Sequence, residues 1–323
     1  MEKKRVFLTR TLHDFALKEL KRKYQIEIHS GKIPIPKAKL QAKIKNIEGL
    51  ICFPYDKIDK EMIDGAKNLK VISTYSVGFD HIDTQYAKKM KIRVGYTPEV
   101  LTDATADLAF SLMLDVLRRV SEGDRIIRNG EWREIYGAYD YTGLDLQDKT
   151  LGILGLGRIG ETFAKRAKSF DMKIVYHNRK PVSKNKEKAL GAKYVTLNKL
   201  ITQSDIISIH VPHTKETDQL FDMKIFKQMK KSAFLINTAR GKIINEKDLV
   251  SALKKKIIAG AALDVYESEP IGKNHPLTKI QNVVLAPHIG SSTKETRVKM
   301  AEITVKNLEL GISGKKPIYS VGY

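Results

Sequence analysis

The sequence predicts an α/β protein of parallel sheets flanked by helices, divided into two domains. Three observations predict it. Short apolar runs alternate with amphipathic stretches along nearly the whole chain. A glycine-rich turn in the middle joins one apolar run to a helical stretch. The 323 residues also exceed what one hydrophobic core usually carries.

In the first part, Val6–Leu8, Gly49–Phe53, Val71–Thr74 and Ile92–Val94 read as strands. Phe15–Lys23, Ala38–Ile44 and Ile63–Ala66 read as helices. Thr102–Arg119 carries Ala104, Leu108, Leu112, Leu114, Val116 and Leu117, so a helix here has little polar face and must be buried on most sides, between domains or between subunits. In the middle, Leu151–Leu154, Lys173–Tyr176, Ile206–Val211, Ala233–Asn237, Ile258–Leu263 and Val283–Ala286 read as strands. From Lys294 onward, Val298, Ala301, Val305 and Leu308 fall on one stripe, predicting a packed helix near the end.

At 42% hydrophobic and 29% charged residues, the composition is that of a globular chain and excludes a disordered one. Val6-Phe7-Leu8 is too short for a signal-peptide core, and no later apolar run is long enough to span a bilayer, so a cytoplasmic protein without membrane contact is expected. The single cysteine, Cys52, excludes an internal disulfide and a cysteine-built metal site, and no metal is expected. The net charge of +21 comes from lysines scattered through most segments and interleaved with acids. Lys254-Lys255-Lys256 is short and sits at a plausible helix end, where cations are favoured. Nucleic acid is therefore not the expected partner. A positive field that gathers anionic small molecules fits, and so does a merely lysine-rich proteome.

Leu151–Leu154 runs into Gly155-Leu156-Gly157-Arg158-Ile159-Gly160, then into a helical stretch with Ile159, Phe163, Ala167 and Phe170. Lys173–Tyr176 closes a β-α-β unit of the size that binds dinucleotides. Gly155 permits the tight turn, Gly157 lets a pyrophosphate approach the backbone, and Gly160 lets helix pack on strand. The helix start would offer N–H groups and a positive dipole end to the phosphates. In an NAD site the second strand usually ends in an acid that binds the ribose hydroxyls. Here the segment reads Tyr176-His177-Asn178-Arg179-Lys180, with no acid and two cations.

The chain resembles the D-2-hydroxyacid dehydrogenases, and among them the glyoxylate/hydroxypyruvate reductases, over essentially its full length. Besides the glycine cradle, the resemblance rests on Tyr75-Ser76-Val77-Gly78-Phe79-Asp80-His81-Ile82-Asp83 and Leu101-Thr102-Asp103-Ala104-Thr105-Ala106-Asp107. It continues through His210-Val211-Pro212, Asn237-Thr238-Ala239-Arg240-Gly241, Asp264-Val265-Tyr266-Glu267-Ser268-Glu269-Pro270 and Pro287-His288-Ile289-Gly290. It implies two doubly wound domains with the active site in a cleft between them: residues 1–98 plus 288–323 for substrate and 99–287 for the dinucleotide. It also implies a homodimer with the Thr102–Arg119 helix in its interface.

Reducing a 2-keto acid requires a proton donor beside the carbonyl oxygen and a cation for the carboxylate. Histidine titrates near neutral pH, and a neighbouring carboxylate favours its protonated form. Arginine grips a carboxylate with a planar fork that lysine lacks. Taken singly, His288 reads as readily as a turn residue, Arg240 as a surface cation and Glu269 as a solvated acid. The resemblance assigns them jointly as acid/base, substrate anchor and orienting carboxylate. It also places the substrate carboxylate on the Val77 and Gly78 amides, with Phe53 in the substrate wall. Thr105 and Asp264 would border the nicotinamide, although Asp264 reads equally as a strand-end cap. The cofactor set it implies further includes Arg158, Ile159, Asn178, Arg179, Lys180, Val211, Pro212, Thr217, Thr238, His288 and Gly290.

Phosphoglycerate dehydrogenases usually carry an arginine in the loop equivalent to Cys52-Phe53-Pro54-Tyr55, which here has none. A small unphosphorylated acid is therefore expected: glyoxylate or hydroxypyruvate, reduced to glycolate or D-glycerate. The departures at Pro54 and Tyr55 keep 2-ketogluconate and other 2-hydroxyacids open, and some relatives of this fold serve as NAD(H)-sensing corepressors. The missing acid after Tyr176 removes the element that repels a 2′-phosphate, and Arg179 could bind one, so NADP(H) is expected over NAD(H). The alternative is that Arg179 and Lys180 point into solvent.

Overall fold

The structure, a computed structural model, describes residues 2–31 and 34–322. The chain divides into two compact units. One runs up to Leu101 and resumes at Ser291; the other is Thr102–Gly290.

Among the described residues, the first unit holds β1 (Arg5–Leu8), β2 (Gln25–Ile28), β3 (Gly49–Cys52), β4 (Val71–Thr74) and β5 (Arg93–Gly95) in one sheet, ordered β2-β1-β3-β4-β5. Every pairing is parallel. The inner strands β3 and β4 are buried along their whole length, as expected for strands covered on both faces. One cover is the C-terminal helix Lys294–Ile312, where Ala301, Val305 and Leu308 are buried, as the apolar stripe predicts. It lies close enough that a Cβ at Gly95 would meet the Asn307 side chain at 2.7 Å. Thr293 starts this helix by accepting from the Thr296 amide.

The second unit holds β6 (Thr150–Leu154), β7 (Lys173–His177), β8 (Ala192–Tyr194), β9 (Ile206–Ile209), β10 (Phe234–Asn237), β11 (Gly260–Leu263) and β12 (Val283–Leu285). Their order, β12-β11-β10-β9-β6-β7-β8, is again wholly parallel. The order reverses between β9 and β6, which is the switch point where open α/β sheets bind ligands, beyond the carboxyl ends of the strands. One face is covered by Thr102–Arg118 and Arg158–Lys168, whose Phe110 and Phe163 rings lie 5.8 Å apart. Phe221, Phe226 and Leu249 cover the other face.

The expectations differ from the structure in several places. Phe53, Val211 and Ala286 lie just beyond β3, β9 and β12, and Phe170 lies past the helix that ends at Lys168. The strands β2 and β8 are additions to those expected. Both are short edge strands, and an edge strand that faces water carries little continuous apolar signal. The Thr102–Arg118 helix is covered by its own unit, packing on Arg158–Lys168 and on β10, β11 and β12, so its apolarity needs no partner subunit.

Candidate active site

The site in the second unit is built at the carboxyl ends of the strands flanking the switch point. After β6, Gly155 takes φ +98°, a left-handed conformation open to glycine, and a Cβ there would meet the His210 backbone at 2.8 Å. Gly160 lies against the Gly155 carbonyl, where a Cβ would stand at 2.2 Å. Gly157 is different, because a Cβ there would meet nothing within 4 Å. It caps the Arg158–Lys168 helix without a side-chain hydrogen bond. The turn therefore leaves open space before a helix start with no side-chain cap, which fits a dinucleotide pyrophosphate. Thr238 adds a second sign of fit: its Oγ1 is buried and has no hydrogen-bond partner among the described residues.

Beyond β7, Tyr176 is fully buried, donating to Glu187 Oε1 at 2.8 Å and accepting from the Val182 amide at 2.9 Å. Burial and the Glu187 carboxylate push this phenol up to about 12, so it stays protonated as a fixed pin beneath the loop. Asn178 Oδ1 accepts from the Leu156 amide at 2.7 Å, tying the loop to the glycine turn. Arg179 and Lys180 are exposed. Thr217 Oγ1 donates to the Pro212 carbonyl at 2.8 Å, closing the loop that follows Val211.

The catalytic candidates lie on the loops after β10, β11 and β12. Asn237 Nδ2 donates to the Arg240 carbonyl at 2.9 Å, and Asn237 Oδ1 accepts from the Ala239 amide at 3.0 Å. These bonds fix the turn that presents Arg240, whose Nη1 donates to the Ala239 carbonyl at 2.7 Å. Gly241 then lets this turn touch the next loop. A Cβ there would fall 1.9 Å from the Tyr266 carbonyl carbon, so no larger residue fits. That loop carries Glu269, whose Oε1 accepts from the Tyr266 amide at 2.9 Å.

Glu269 Oε2 lies 2.7 Å from His288 Nδ1. An ionised carboxylate only accepts, so Nδ1 carries the proton and the ring turns Nε2 away from Glu269. The pair is partly shielded, with His288 27% and Glu269 13% exposed at the side chain. His288 adopts φ +55°, a left-handed conformation uncommon outside glycine and often met at functional sites. Asp264 holds that turn, its two oxygens accepting from the Ile289 and Gly290 amides at 2.7 and 2.8 Å. Thr105 Oγ1 donates to the Gly290 carbonyl at 3.1 Å. The strand-end cap, one of the two readings of Asp264, is thus what the hydrogen bonds show. Burial raises the Asp264 pKa, against the two amides and the nearby His288 that favour its charge.

Other histidines are also paired, but differently. His275 bonds Glu246 through Nε2 at 2.9 Å while its Nδ1 accepts from the Leu277 amide at 3.4 Å, which occupies both nitrogens. Burial pulls the His210 imidazole down to about 3, so it is neutral and packs on Phe163.

In the first unit, Val77 and Gly78 are half-buried on the loop after β4, where Ser76 Oγ donates to the Gly78 carbonyl at 2.6 Å. Phe53 packs on Tyr75 with ring centroids 5.0 Å apart. The structure adds a residue that sequence reasoning missed: Arg10, just beyond β1, stands over the Phe53 and Tyr55 rings at 5.5 and 5.1 Å. The Cys52–Tyr55 segment carries no arginine of its own, and one reaches it from the neighbouring strand.

Sheet order, glycine cradle and a carboxylate-paired histidine define a nucleotide-binding α/β oxidoreductase. A family model described as D-isomer specific 2-hydroxyacid dehydrogenase, NAD binding domain, matches residues 110–290. A glyoxylate reductase of Thermofilum pendens is 47% identical over 98% of this chain and 94% of that protein. Another from Thermococcus litoralis is 46% identical over 98% and 96%. The TT0316 protein of Thermus thermophilus superposes with a TM-score of 0.90 at 44% identity, covering 98% of this chain and 99% of that one. An NADPH-dependent glyoxylate/hydroxypyruvate reductase from Sinorhizobium meliloti, in complex with NADP and malonate, gives 0.86 at 30% identity, covering 99% and 97%. The chain belongs to the D-isomer specific 2-hydroxyacid dehydrogenase family and is a nicotinamide-dependent oxidoreductase acting on CH–OH groups.

Proposed function

We propose that this protein reduces glyoxylate to glycolate and hydroxypyruvate to D-glycerate, preferring NADPH, with His288 as the proton donor. The observation that carries the reading is the His288–Glu269 pair at 2.7 Å, with Glu269 on the loop that neighbours the one presenting Arg240. Its relatives named glyoxylate reductase support the substrate class. When bound, the nicotinamide supplies the hydride to the carbonyl carbon. Arg240 grips the substrate carboxylate through its planar fork; Phe53, Val77 and Gly78 of the first unit belong to the proposed substrate-binding set. His288 Nε2–H donates to the carbonyl oxygen and passes its proton there as the alkoxide develops. Glu269 holds the ring in one tautomer and stabilises the imidazolium before the proton leaves.

The cradle residues Gly155, Gly157, Arg158, Ile159 and Gly160 would hold the pyrophosphate, and Thr238 and the Asp264–Gly290 turn the nicotinamide side. NADPH preference is supported by the missing acid after Tyr176 and the exposed Arg179 and Lys180. A homodimer in the cytoplasm belongs to the same reading. It is supported by the segment after Arg118: the helix Val120–Arg128 buries no residue, and Ile135 and Tyr139 are 92% and 95% exposed. Apolar exposure on this scale marks a protein contact.

The test is oxidation of NADPH and NADH by the purified protein against a panel of 2-keto acids, repeated in Arg179→Ala. Fast turnover of glyoxylate and hydroxypyruvate, with NADPH preferred and that preference reduced in the variant, is expected. Faster turnover of pyruvate, phosphohydroxypyruvate or 2-ketogluconate contradicts the substrate. An NADH preference, or an unchanged ratio in Arg179→Ala, contradicts the cofactor.

A further inference from the structure

Arg10 has no part in the reading above, and its surroundings call for one. It lies just past β1, after Thr9, and β1, β3 and β4 are neighbours in the sheet, so Arg10, Phe53 and the Tyr75–Gly78 loop all lie at one carboxyl edge. Ligands bind at that edge in open α/β sheets. Its guanidinium stacks on the Phe53 and Tyr55 rings, which fix its plane, and Phe53 continues the stack to Tyr75.

The loop is braced for this. Thr9 Oγ1 donates to Asp56 Oδ2, and the Phe53 amide donates to the same oxygen at 2.8 Å. Arg10 itself is half-buried, and its Nε is sealed from solvent with no acceptor among the described residues. A buried donor without a partner costs stability that an aliphatic side chain filling the same space would not. Packing alone therefore gives no reason for arginine here. Burial lowers the Arg10 pKa, and Asp56 acts against this by favouring the charged form. A guanidinium already favoured by one carboxylate gains less from a second anion, so a neutral oxygen acceptor suits it.

We propose that Arg10 is a specificity residue that donates to the oxygen on C3 of the substrate, selecting a 3-hydroxy-2-keto acid over its methyl counterpart. The inference rests on the proposed placement of substrate against Phe53, Val77 and Gly78. Arg10 reads the part of the substrate that glyoxylate lacks and hydroxypyruvate carries. A hydrogen bond from a charged donor is worth about tenfold to hundredfold in discrimination.

The experiment is kcat/KM with NADPH for glyoxylate, hydroxypyruvate and pyruvate, with phosphohydroxypyruvate as a control, in the parent, Arg10→Met and Arg10→Lys. Methionine keeps the apolar stem and removes every donor. In Arg10→Met, hydroxypyruvate should lose about tenfold to hundredfold. Glyoxylate should be unchanged and pyruvate unchanged or improved. Arg10→Lys, which keeps a cationic donor, should lie between parent and Arg10→Met, and it gives the same comparison should the methionine variant fail to fold. An equal loss on all three acids shows a structural role and overturns the proposal. So does an unchanged ratio of hydroxypyruvate to pyruvate, or a greater loss on phosphohydroxypyruvate than on hydroxypyruvate. A parent that reduces neither glyoxylate nor hydroxypyruvate overturns the proposed function as well; a parent that reduces both isolates the failure to Arg10.

Discussion

Replacing Glu269 by glutamine removes one charge from the site and puts an NH2 donor where Oε2 accepts from His288 Nδ1. Glutamine keeps an oxygen for the Tyr266 amide, so the loop fixed by that 2.9 Å bond should stay in place. What disappears is the attraction between the carboxylate and the imidazolium. Unit charges about 4 Å apart at an effective dielectric of about 20 interact by about 4 kcal/mol. The His288 and Glu269 side chains are 27% and 13% exposed, so water screens part of that, leaving about 2 kcal/mol. At about 1.36 kcal/mol per tenfold in rate, that loss corresponds to a fall of about tenfold to hundredfold in kcat/KM for glyoxylate in Glu269→Gln. Steady-state kinetics of both proteins with saturating NADPH measures this. Parent-like kcat/KM in the variant would refute the assigned role of the pair.

Arg240→Ala should raise KM for the keto acid by about tenfold to hundredfold with a smaller change in kcat, since it removes a charged partner of the substrate carboxylate; steady-state kinetics at saturating NADPH decides, and an unchanged KM contradicts the anchor. Gly241→Ala must push apart two backbone segments, because its Cβ would lie 1.9 Å from the Tyr266 carbonyl carbon. It should cost about 1–3 kcal/mol or more in denaturant unfolding and also lower kcat by displacing Glu269, whereas parent-like stability would contradict the packing described. His210 is neutral when folded, at about 3, and charges near 6.5 when unfolded. The stability it contributes is whole above about pH 6.5 and is lost as pH falls towards 3, by up to about 1.4 kcal/mol per unit. Urea midpoints at pH 7 and 5 should converge in His210→Gln relative to the parent, and equal pH slopes would argue against a buried neutral ring.

Much of the second unit was legible because its signals are local. Strands buried on both faces leave continuous apolar runs, and the Gly155–Gly160 turn has a fixed spacing that backbone approach demands. The edge strands β2 and β8 left no such run. The triad was legible only jointly, through resemblance, because the pairing of His288 with Glu269 spans 19 residues and depends on how neighbouring loops meet. Gly241 shows the limit most plainly: nothing near it in sequence says that Tyr266 stands against it. Arg10 was missed for the same reason. It reaches the wall from β1, whereas the sequence signal for an arginine there sits in the loop after β3, and strand order is not written in residue spacing. The helix after Leu101 shows another limit, since all-round apolarity records burial without saying what does the burying.

The claim that His288 is the proton donor is tested most directly by turnover in His288→Ala, with NADPH and glyoxylate both saturating and NADPH binding followed separately by fluorescence. The account predicts kcat at least about 100-fold below the parent, the scale of general acid catalysis, with NADPH still bound. Near-parental kcat in a folded, NADPH-binding variant would contradict it.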